Sequence, residues 1–338
     1  MKVAHWTMFN KSGMFRVAES MVVTEKKLGI DSVLMEVKDT SKYDLAMDAD
    51  VHVLHTHFPD EMRKKLGSSL KLVWVGHGVP DHIFKASVEL DANRNIGAGD
   101  GWMLMQHWMQ VADAIVTFWP RHQWIYKSMC DKNTIVDCIP LGVDKEFWKP
   151  IKSKGKYTGS PSLFTAENGY QIKWPWDLFL IWPHVAEKIQ QNALLHVAYL
   201  PNDQHRFWFP LINRNGASYA SEVNSLVHDH ESLRNVFCST DYYIGLVRYG
   251  DHNRICLEAN ACGSKTISYR GNPYSDYWMT EGDQRVMADE LLNILEGKTK
   301  PREKTPVPDI IETSNAMIKI YERILKKTSI IIDGLKNV

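Results

Sequence analysis

Two hydrophobic rhythms alternate along this chain. Short, nearly continuous apolar runs rich in valine, isoleucine, leucine and aromatic residues are separated by longer stretches in which apolar residues recur at helical spacing. The first rhythm is that of strands buried on both faces, the second that of helices with one face against a core. In the first half, strands are predicted over 2–6, 32–37, 51–55, 71–75, 114–117 and 134–139, with helices over 15–28, 61–66, 102–112 and 121–129. Val17, Met21 and Leu28 lie on one side of the first helix, and Gly29 closes it. Strands alternating with helices predict a parallel sheet with right-handed crossovers, a Rossmann-like unit.

Pro140-Leu141-Gly142-Val143-Asp144 interrupts the rhythm, and the segment KPIKSKGKYTGSPS that follows has the Lys, Gly, Ser and Pro content of a linker. A domain boundary is therefore predicted at 150, with a first domain over 1–150 and a second beginning at 151. The second half restarts with strands over 162–166 and 194–200, a helix over 176–190 entered through Pro175, and shorter helical pieces over 222–227 and 232–237. A helix over 289–295, a Lys/Pro-rich connection over 299–308 and an amphipathic helix over 310–326 complete the chain. Two α/β units in series predict a ligand cleft between them.

Composition narrows the classes. The 338 residues carry 40 Lys and Arg against 40 Asp and Glu, so no global charge draws the chain to nucleic acid or membrane. The hydrophobic fraction of 44% and charged fraction of 24% are those of an ordinary soluble globular protein. Cys130, Cys138, Cys238, Cys256 and Cys262 lack C-x-x-C spacing and read as small buried hydrophobes in a reducing compartment. The amino terminus has no signal-like apolar core and no apolar run is long enough to span a bilayer, so a cytoplasmic location without stable membrane insertion is expected.

The chemistry concentrates in DYYIGLVRYGDHNRICLEANACGSKTISYR, residues 241–270. It reads as a strand, a polar loop over 248–254, a short helix ending at Gly263 and a second strand over 265–269. The loop thus lies at the carboxyl end of a strand and the amino end of a helix. In open α/β sheets ligands bind there, and a helix amino end favours phosphate. Glu258, one turn into the helix, is the leading binding residue.

Several segments together resemble the retaining glycosyltransferases of the GT-B fold, in the large family-four group (glycosyl transferases group 1). IPLGVDKEFWKP, ADAIVTFWP and VWVGHGVP are similar to the group's linker-side motif, one of its strands and the segment carrying its active-site histidine. The most specific match is the 241–270 stretch, where Asp241, Glu258, Ala259, Ala261, Cys262 and Gly263 fall in register. The resemblance implies two Rossmann-like domains facing each other across a cleft, 1–150 on the acceptor side and 151–308 binding the nucleotide sugar. It implies that a C-terminal helix, within 309–338, crosses back to the first domain.

Carried over, the resemblance implies that Glu258 holds the ribose hydroxyls of the donor nucleotide, a task suited to a carboxylate that accepts from two neighbouring hydroxyls. It implies Lys173 on the donor diphosphate, Gly13 at a turn where backbone approaches the phosphates, and His77 against the transferred sugar and acceptor. His55 and His57 are candidates for similar work. Two positions depart from the pattern. Gly250 stands where a sugar-orienting glutamate is expected, with Asp251 beside it as a substitute. Glu167 stands near the expected arginine, leaving Arg254, Arg248 or Arg206 to supply that charge, with Asn253 in the same loop.

The expected reaction is transfer of a sugar from a nucleotide-diphosphate sugar, the co-substrate, to an acceptor hydroxyl with retention of configuration. No cofactor or metal is expected; Asp48 and Asp50 have D-x-D spacing but precede a strand. The acceptor stays open among a glycan, a lipid, a small molecule and a DNA base. Trp102, Trp108, Trp119 and Trp124 are either sugar-stacking or core residues. Two other classes stand beside this one. A non-catalytic nucleotide-sugar or glycan-binding protein would fit the two departures. An NAD-dependent oxidoreductase is disfavoured because no G-x-G-x-x-G follows the first strand.

Overall fold

A computed structural model describes residues 1–7, 13–56, 60–67, 70–77, 109–152, 159–166, 176–189, 193–197, 230–247 and 254–336. They form two compact units, one of Met1–Asp144 with Pro308–Val338 and one of Lys145–Val307.

The first unit is built on six strands, β1 (Lys2–Thr7), β2 (Asp31–Glu36), β3 (Val51–Leu54), β4 (Leu72–Val75), β5 (Ala114–Thr117) and β6 (Ile135–Cys138), in the order β2-β1-β3-β4-β5-β6. Every pair is parallel. The residues of β3, β4 and β5 are buried throughout, which is why these strands read as continuous apolar runs. Ala4, Trp6, Leu54, Trp74, Ile115 and Val136 belong to one core cluster. Helix α1 (Gly13–Lys27) follows β1, and its chain reverses at Gly29 with φ +85°, the left-handed conformation glycine favours. Helices α2 (Asp60–Leu66) and α3 (Pro120–Met129) follow β3 and β5.

The C-terminal segment completes this unit. A parallel bridge joins Val143 to Asp309. The Gly142 N–H donates to Thr313 Oγ1 at 2.8 Å, and that hydroxyl donates to the Pro140 carbonyl at 2.9 Å. A Cβ on Gly142 would lie 2.3 Å from the Asp309 carbonyl oxygen, so only glycine fits. The P-L-G-V-D break is therefore the seat of the returning chain. Helix α8 (Ile310–Lys336) then buries Ile310, Thr313, Met317, Ile320, Tyr321 and Ile324 on one stripe and packs against α1.

The second unit carries β7 (Ser162–Thr165), β8 (Leu194–Val197), β9 (Tyr242–Gly245), β10 (Lys265–Tyr269) and β11 (Tyr277–Met279) in the order β11-β10-β9-β7-β8, all parallel. Helices α4 (Trp176–Lys188), α5 (His230–Ser239), α6 (Arg254–Ala261) and α7 (Gln284–Leu295) accompany it. Leu163, Phe179, Trp182, Ile244, Ile267 and Leu291 belong to its core. The chain enters this unit at Lys145 rather than after 150 because Phe147 and Trp148 already pack there. The Arg234 guanidinium lies 4.5 Å from the Phe147 ring centroid and donates to the Phe147 carbonyl at 3.1 Å, while the Trp148 ring lies 6.0 Å from Phe237.

Both sheets have the doubly wound order in which direction of progression reverses once, between β1 and β3 in the first unit and between β7 and β9 in the second. Ligands bind at the carboxyl ends of strands beside such a switch point. Four elements differ from the sequence reading, the first being α8, predicted to end at 326 but continuing to Lys336. Residues Thr40–Ala46 form a 3₁₀ helix and Tyr277–Met279 a three-residue strand, both too short for a hydrophobic period to register. Helix α7 begins earlier than predicted, where Asp283 caps it by accepting from the N–H groups of Arg285 and Val286. The predicted helix over 222–227 and most of that over 102–112 lie outside the described residues.

Candidate functional site

In the second unit, the carboxyl end of β9 leads to α6. Arg254 opens this helix and Glu258 follows one turn later, so both side chains share a face. Arg254 Nε donates to Glu258 Oε1 at 2.8 Å, and both side chains are nearly buried. The guanidinium fixes the direction of this nearly buried carboxyl, whose oxygens can accept hydrogen bonds from hydroxyls. Gly263, with φ +95°, ends the helix so that β10 begins two residues later.

Asp241, at the start of the same motif, is structural. Asp241 Oδ2 accepts from the Ser162 N–H at 2.8 Å and from its hydroxyl at 3.1 Å, tying the start of β9 to the start of β7. Asp241 and Lys265 also line a cavity of about 330 Å³. That cavity lies at the amino ends of β7, β9 and β10, by the carboxyl end of α6 and at the end of the sheet opposite Arg254. Lys173, Asp251 and Asn253, together with Arg248, Arg206 and Glu167, lie outside the described residues.

In the first unit, three predicted positions follow the carboxyl ends of strands, two of them β1 and β3 at the switch point and the third the neighbouring β4. Gly13 begins α1 after β1 and is exposed, with open space where a Cβ would stand. His55 directly follows β3. His77 follows β4 and Gly76, with its ring centroid 5.7 Å from that of Phe118. Gly76 is required by packing, since a Cβ there would lie 2.5 Å from the Tyr126 hydroxyl. His55 is 2% exposed, too deep to meet a substrate as His77 was expected to do. It stands instead behind His77, its Nδ1 2.8 Å from His77 Nε2. His57 lies outside the described residues.

Behind His55 the polar chain continues. His55 Nε2 lies 3.1 Å from His5 Nδ1, and His5 Nε2 lies 3.0 Å from Glu25 Oε2. Glu25 is completed by the hydroxyls of Ser32 and Tyr321, the latter donating to Oε1 at 3.0 Å. Burial pushes the Glu25 carboxyl up, but attraction to His5 and the bonds from His5, Ser32 and Tyr321 outweigh it and hold the group below the usual carboxylate range. Burial, reinforced by the neighbouring His77 and His5, holds His55 far below the ordinary imidazole value, so it is neutral. Neither His5 nor Glu25 was singled out from the sequence. Each left a trace there: a histidine inside the apolar run of β1, and a glutamate on the same helix face as Met21 and Val22.

Other candidates resolve as structure. Asp50 accepts from the Lys2 N–H at 2.8 Å and Asp48 pairs with the Lys2 ammonium, both at the amino end of β1. His52, pushed down to about 4 by burial, accepts from Trp6 Nε1 at 3.1 Å. Trp124 is exposed, whereas Trp119 lies 4.2 Å from the Arg121 guanidinium, measured to its ring centroid. Cys256 and Cys262 are buried, while Cys130, Cys138 and Cys238 are half-buried; all five are free thiols. Among the described residues no helix is long and apolar enough to cross a membrane.

No protein-family model and no curated protein sequence matches the chain. Solved structures do. Sucrose-phosphate synthase from Thermosynechococcus elongatus superposes with a TM-score of 0.68 at 11% identity, over 100% of this chain and 99% of that one. HepE from Anabaena, in complex with UDP and glucose, gives 0.59 at 12% identity over 100% of both chains. A glycosyltransferase from Rickettsia africae gives 0.64 at 12% identity, over 96% of this chain and 98% of its own. The likeness runs end to end and covers both parallel sheets and the returning helix. The chain has the GT-B fold.

Proposed function

We propose that this protein is a glycosyltransferase that moves a sugar from a nucleoside-diphosphate sugar to an acceptor hydroxyl. The observation that carries the reading is the Arg254–Glu258 pair, fixed at the start of α6 beyond the carboxyl end of β9 and beside the switch point of the second sheet. In a GT-B scaffold that is where a nucleotide is recognised by its ribose and phosphates. The HepE structures with UDP and with UDP-glucose make a uridine donor the first to test.

In this reading Glu258 accepts hydrogen bonds from the two ribose hydroxyls. The carboxylate is acceptor-only and already oriented, so little ordering is needed when the nucleotide arrives. Loss of the diphosphate from the anomeric carbon concentrates negative charge on the β-phosphate. Arg254, the first N–H groups of α6 and Lys173 oppose that charge, and groups held in place before reaction lower the barrier without reorganising. Asp251 and Asn253, in the loop before α6, orient the sugar in place of the glutamate that Gly250 replaces. His77 contacts the transferred sugar and the acceptor, and the Gly13 turn admits phosphate.

Transfer proceeds with retention and without a metal: the acceptor attacks on the face the diphosphate leaves, and the departing phosphate takes the acceptor proton. A glycan, lipid, small molecule or DNA base remains the acceptor class to assign by screening, and a cytoplasmic location is part of the same reading. The test is a thermal-shift panel of UDP-, GDP-, ADP- and CMP-sugars on wild type and Glu258→Ala, followed by donor hydrolysis and acceptor transfer assays. Stabilisation by one donor class that is lost in Glu258→Ala, together with turnover, supports the reading. Stabilisation without hydrolysis or transfer replaces it with a nucleotide-sugar-binding protein. An inverted product by NMR removes retention.

A further inference from the structure

The contacts behind His77 form a directed chain. Each of three histidines presents Nε2 to the next group inward: His77 Nε2 to His55 Nδ1 at 2.8 Å, His55 Nε2 to His5 Nδ1 at 3.1 Å, and His5 Nε2 to Glu25 Oε2 at 3.0 Å. The chain crosses the unit from the carboxyl end of β4, through β3 and β1, to α1. His5 and Glu25 are fully buried, and His55 nearly so. Ser32 from β2 and Tyr321 from α8 occupy the remaining sides of the Glu25 carboxylate.

We propose that Glu25, His5 and His55 are a buried proton relay that ends on His77 and sets which of its ring nitrogens carries the proton. The argument runs outward from the carboxylate. Ionised Glu25 only accepts, so His5 donates from Nε2. With a single ring proton, His5 then accepts at Nδ1, which requires the proton of His55 on Nε2. Neutral His55 accepts at Nδ1 in turn, which requires the proton of His77 on Nε2. One buried charge thereby fixes three tautomers, and His77 Nδ1 carries a lone pair. The second-sphere carboxylates of metal-bound histidines fix tautomers by the same logic over one bond rather than three.

The same register moves a proton without moving a side chain. If His77 Nδ1 takes a proton from a hydroxyl, its Nε2 proton passes to His55 Nδ1, and the His55 Nε2 proton passes to His5 Nδ1. The added charge then rests on His5 against Glu25, with every contact still bridged by one hydrogen. Glu25, His5 and His55 are thus positioning residues, and what the relay does for a substrate rests on the reading of His77 given above. There, Nδ1 accepts from a hydroxyl of the transferred sugar or acceptor and holds it in one orientation.

The experiment is ring-nitrogen NMR on the ligand-free full chain labelled at histidine, over a pH series. In wild type, His77 is expected to show a protonated-type Nε2 and an unprotonated-type Nδ1. In His55→Phe, which keeps a ring in place but cuts the chain, His77 is expected to collapse to averaged signals from interchanging tautomers. In Glu25→Gln, proton uptake by the histidines is expected to move to lower pH. An averaged or Nδ1-protonated His77 in wild type overturns the proposal, and so does a fixed tautomer surviving in His55→Phe. Should His55→Phe fail to fold by circular dichroism, wild type and Glu25→Gln decide, with uptake at unchanged pH overturning it. None of these measurements uses a sugar nucleotide. A fixed tautomer in a protein without donor binding would sink the glycosyltransferase reading and leave the relay standing.

Discussion

Arg254 and Glu258 neutralise each other one helical turn apart, with Nε and Oε1 separated by 2.8 Å and little of either side chain exposed. The pair is at once a close ionic contact within α6 and the centre of the proposed donor site. Removing one partner takes from the other a close contact of opposite charge in low dielectric. Arg254→Ala should therefore destabilise the protein by about 2–3 kcal/mol in urea unfolding. The double variant Arg254→Met/Glu258→Gln should lose less than the two single changes summed. Additive losses would show that the pair does not act as a unit.

Gly142→Ala tests the seat of the returning chain. Its Cβ would sit 2.3 Å from the Asp309 carbonyl oxygen and 2.6 Å from the Ile310 nitrogen, both backbone atoms at the start of α8. Neither can turn aside as a side chain can, so the C-terminal segment must shift as a whole. A loss of about 2–3 kcal/mol or more in urea unfolding is expected, together with faster proteolysis within α8. Stability within about 0.5 kcal/mol of wild type would mean the contact opens freely.

Gly76→Ala should disturb His77 through its neighbour. The new methyl would meet the Tyr126 hydroxyl at 2.5 Å, whereas the ring carbon bearing that hydroxyl is 3.0 Å away. Deleting the hydroxyl in Gly76→Ala/Tyr126→Phe removes the worst overlap. The double variant should recover part of both stability and donor turnover lost in Gly76→Ala. No recovery would place the cost in the backbone of the β4 end instead of in Tyr126.

The Glu25 carboxyl gives stability a pH dependence with a defined sign. It titrates below the usual carboxylate range in the folded protein, so as pH falls the unfolded chain takes up this proton first. Its contribution is fully present above the ordinary glutamate value and is lost as pH falls through the folded value. Glu25→Gln should therefore be most destabilising at neutral pH, and the gap to wild type should narrow in acid. Urea titrations at neutral and acidic pH check this. A gap that widens in acid contradicts the assignment. Tyr321 acts at the other end of the scale: burial first, then the Glu25 charge and bond, raise it well above the usual phenol range. Its contribution is present at neutral pH and is lost only in strong alkali.

Much of this architecture was written in the order of residues. The runs of β3, β4, β5, β7 and β9 are apolar because parallel strands are covered on both faces, and that alone places them. The helix stop at Gly263 and the face shared by Arg254 and Glu258 are local properties, readable from spacing. Glu258 could be named because its neighbours in sequence are also its neighbours in the helix.

Contacts between distant segments carry no local signature. His5, Glu25, His55, His77 and Tyr321 are separated by 20 to 296 positions where they touch Glu25, and by 50 and 22 along the histidines. Only the strand order β2-β1-β3-β4, with α1 and α8 laid together, makes them one chain. Likewise Gly142 reads as a turn glycine until Asp309 returns to it across about half the length of the protein. Hydrophobic period and turn chemistry determined the elements and the position of the donor motif, since both act over a few residues. Which polar groups are buried together was decided by tertiary packing, because a charge deep in the core must find its partners wherever the fold brings them.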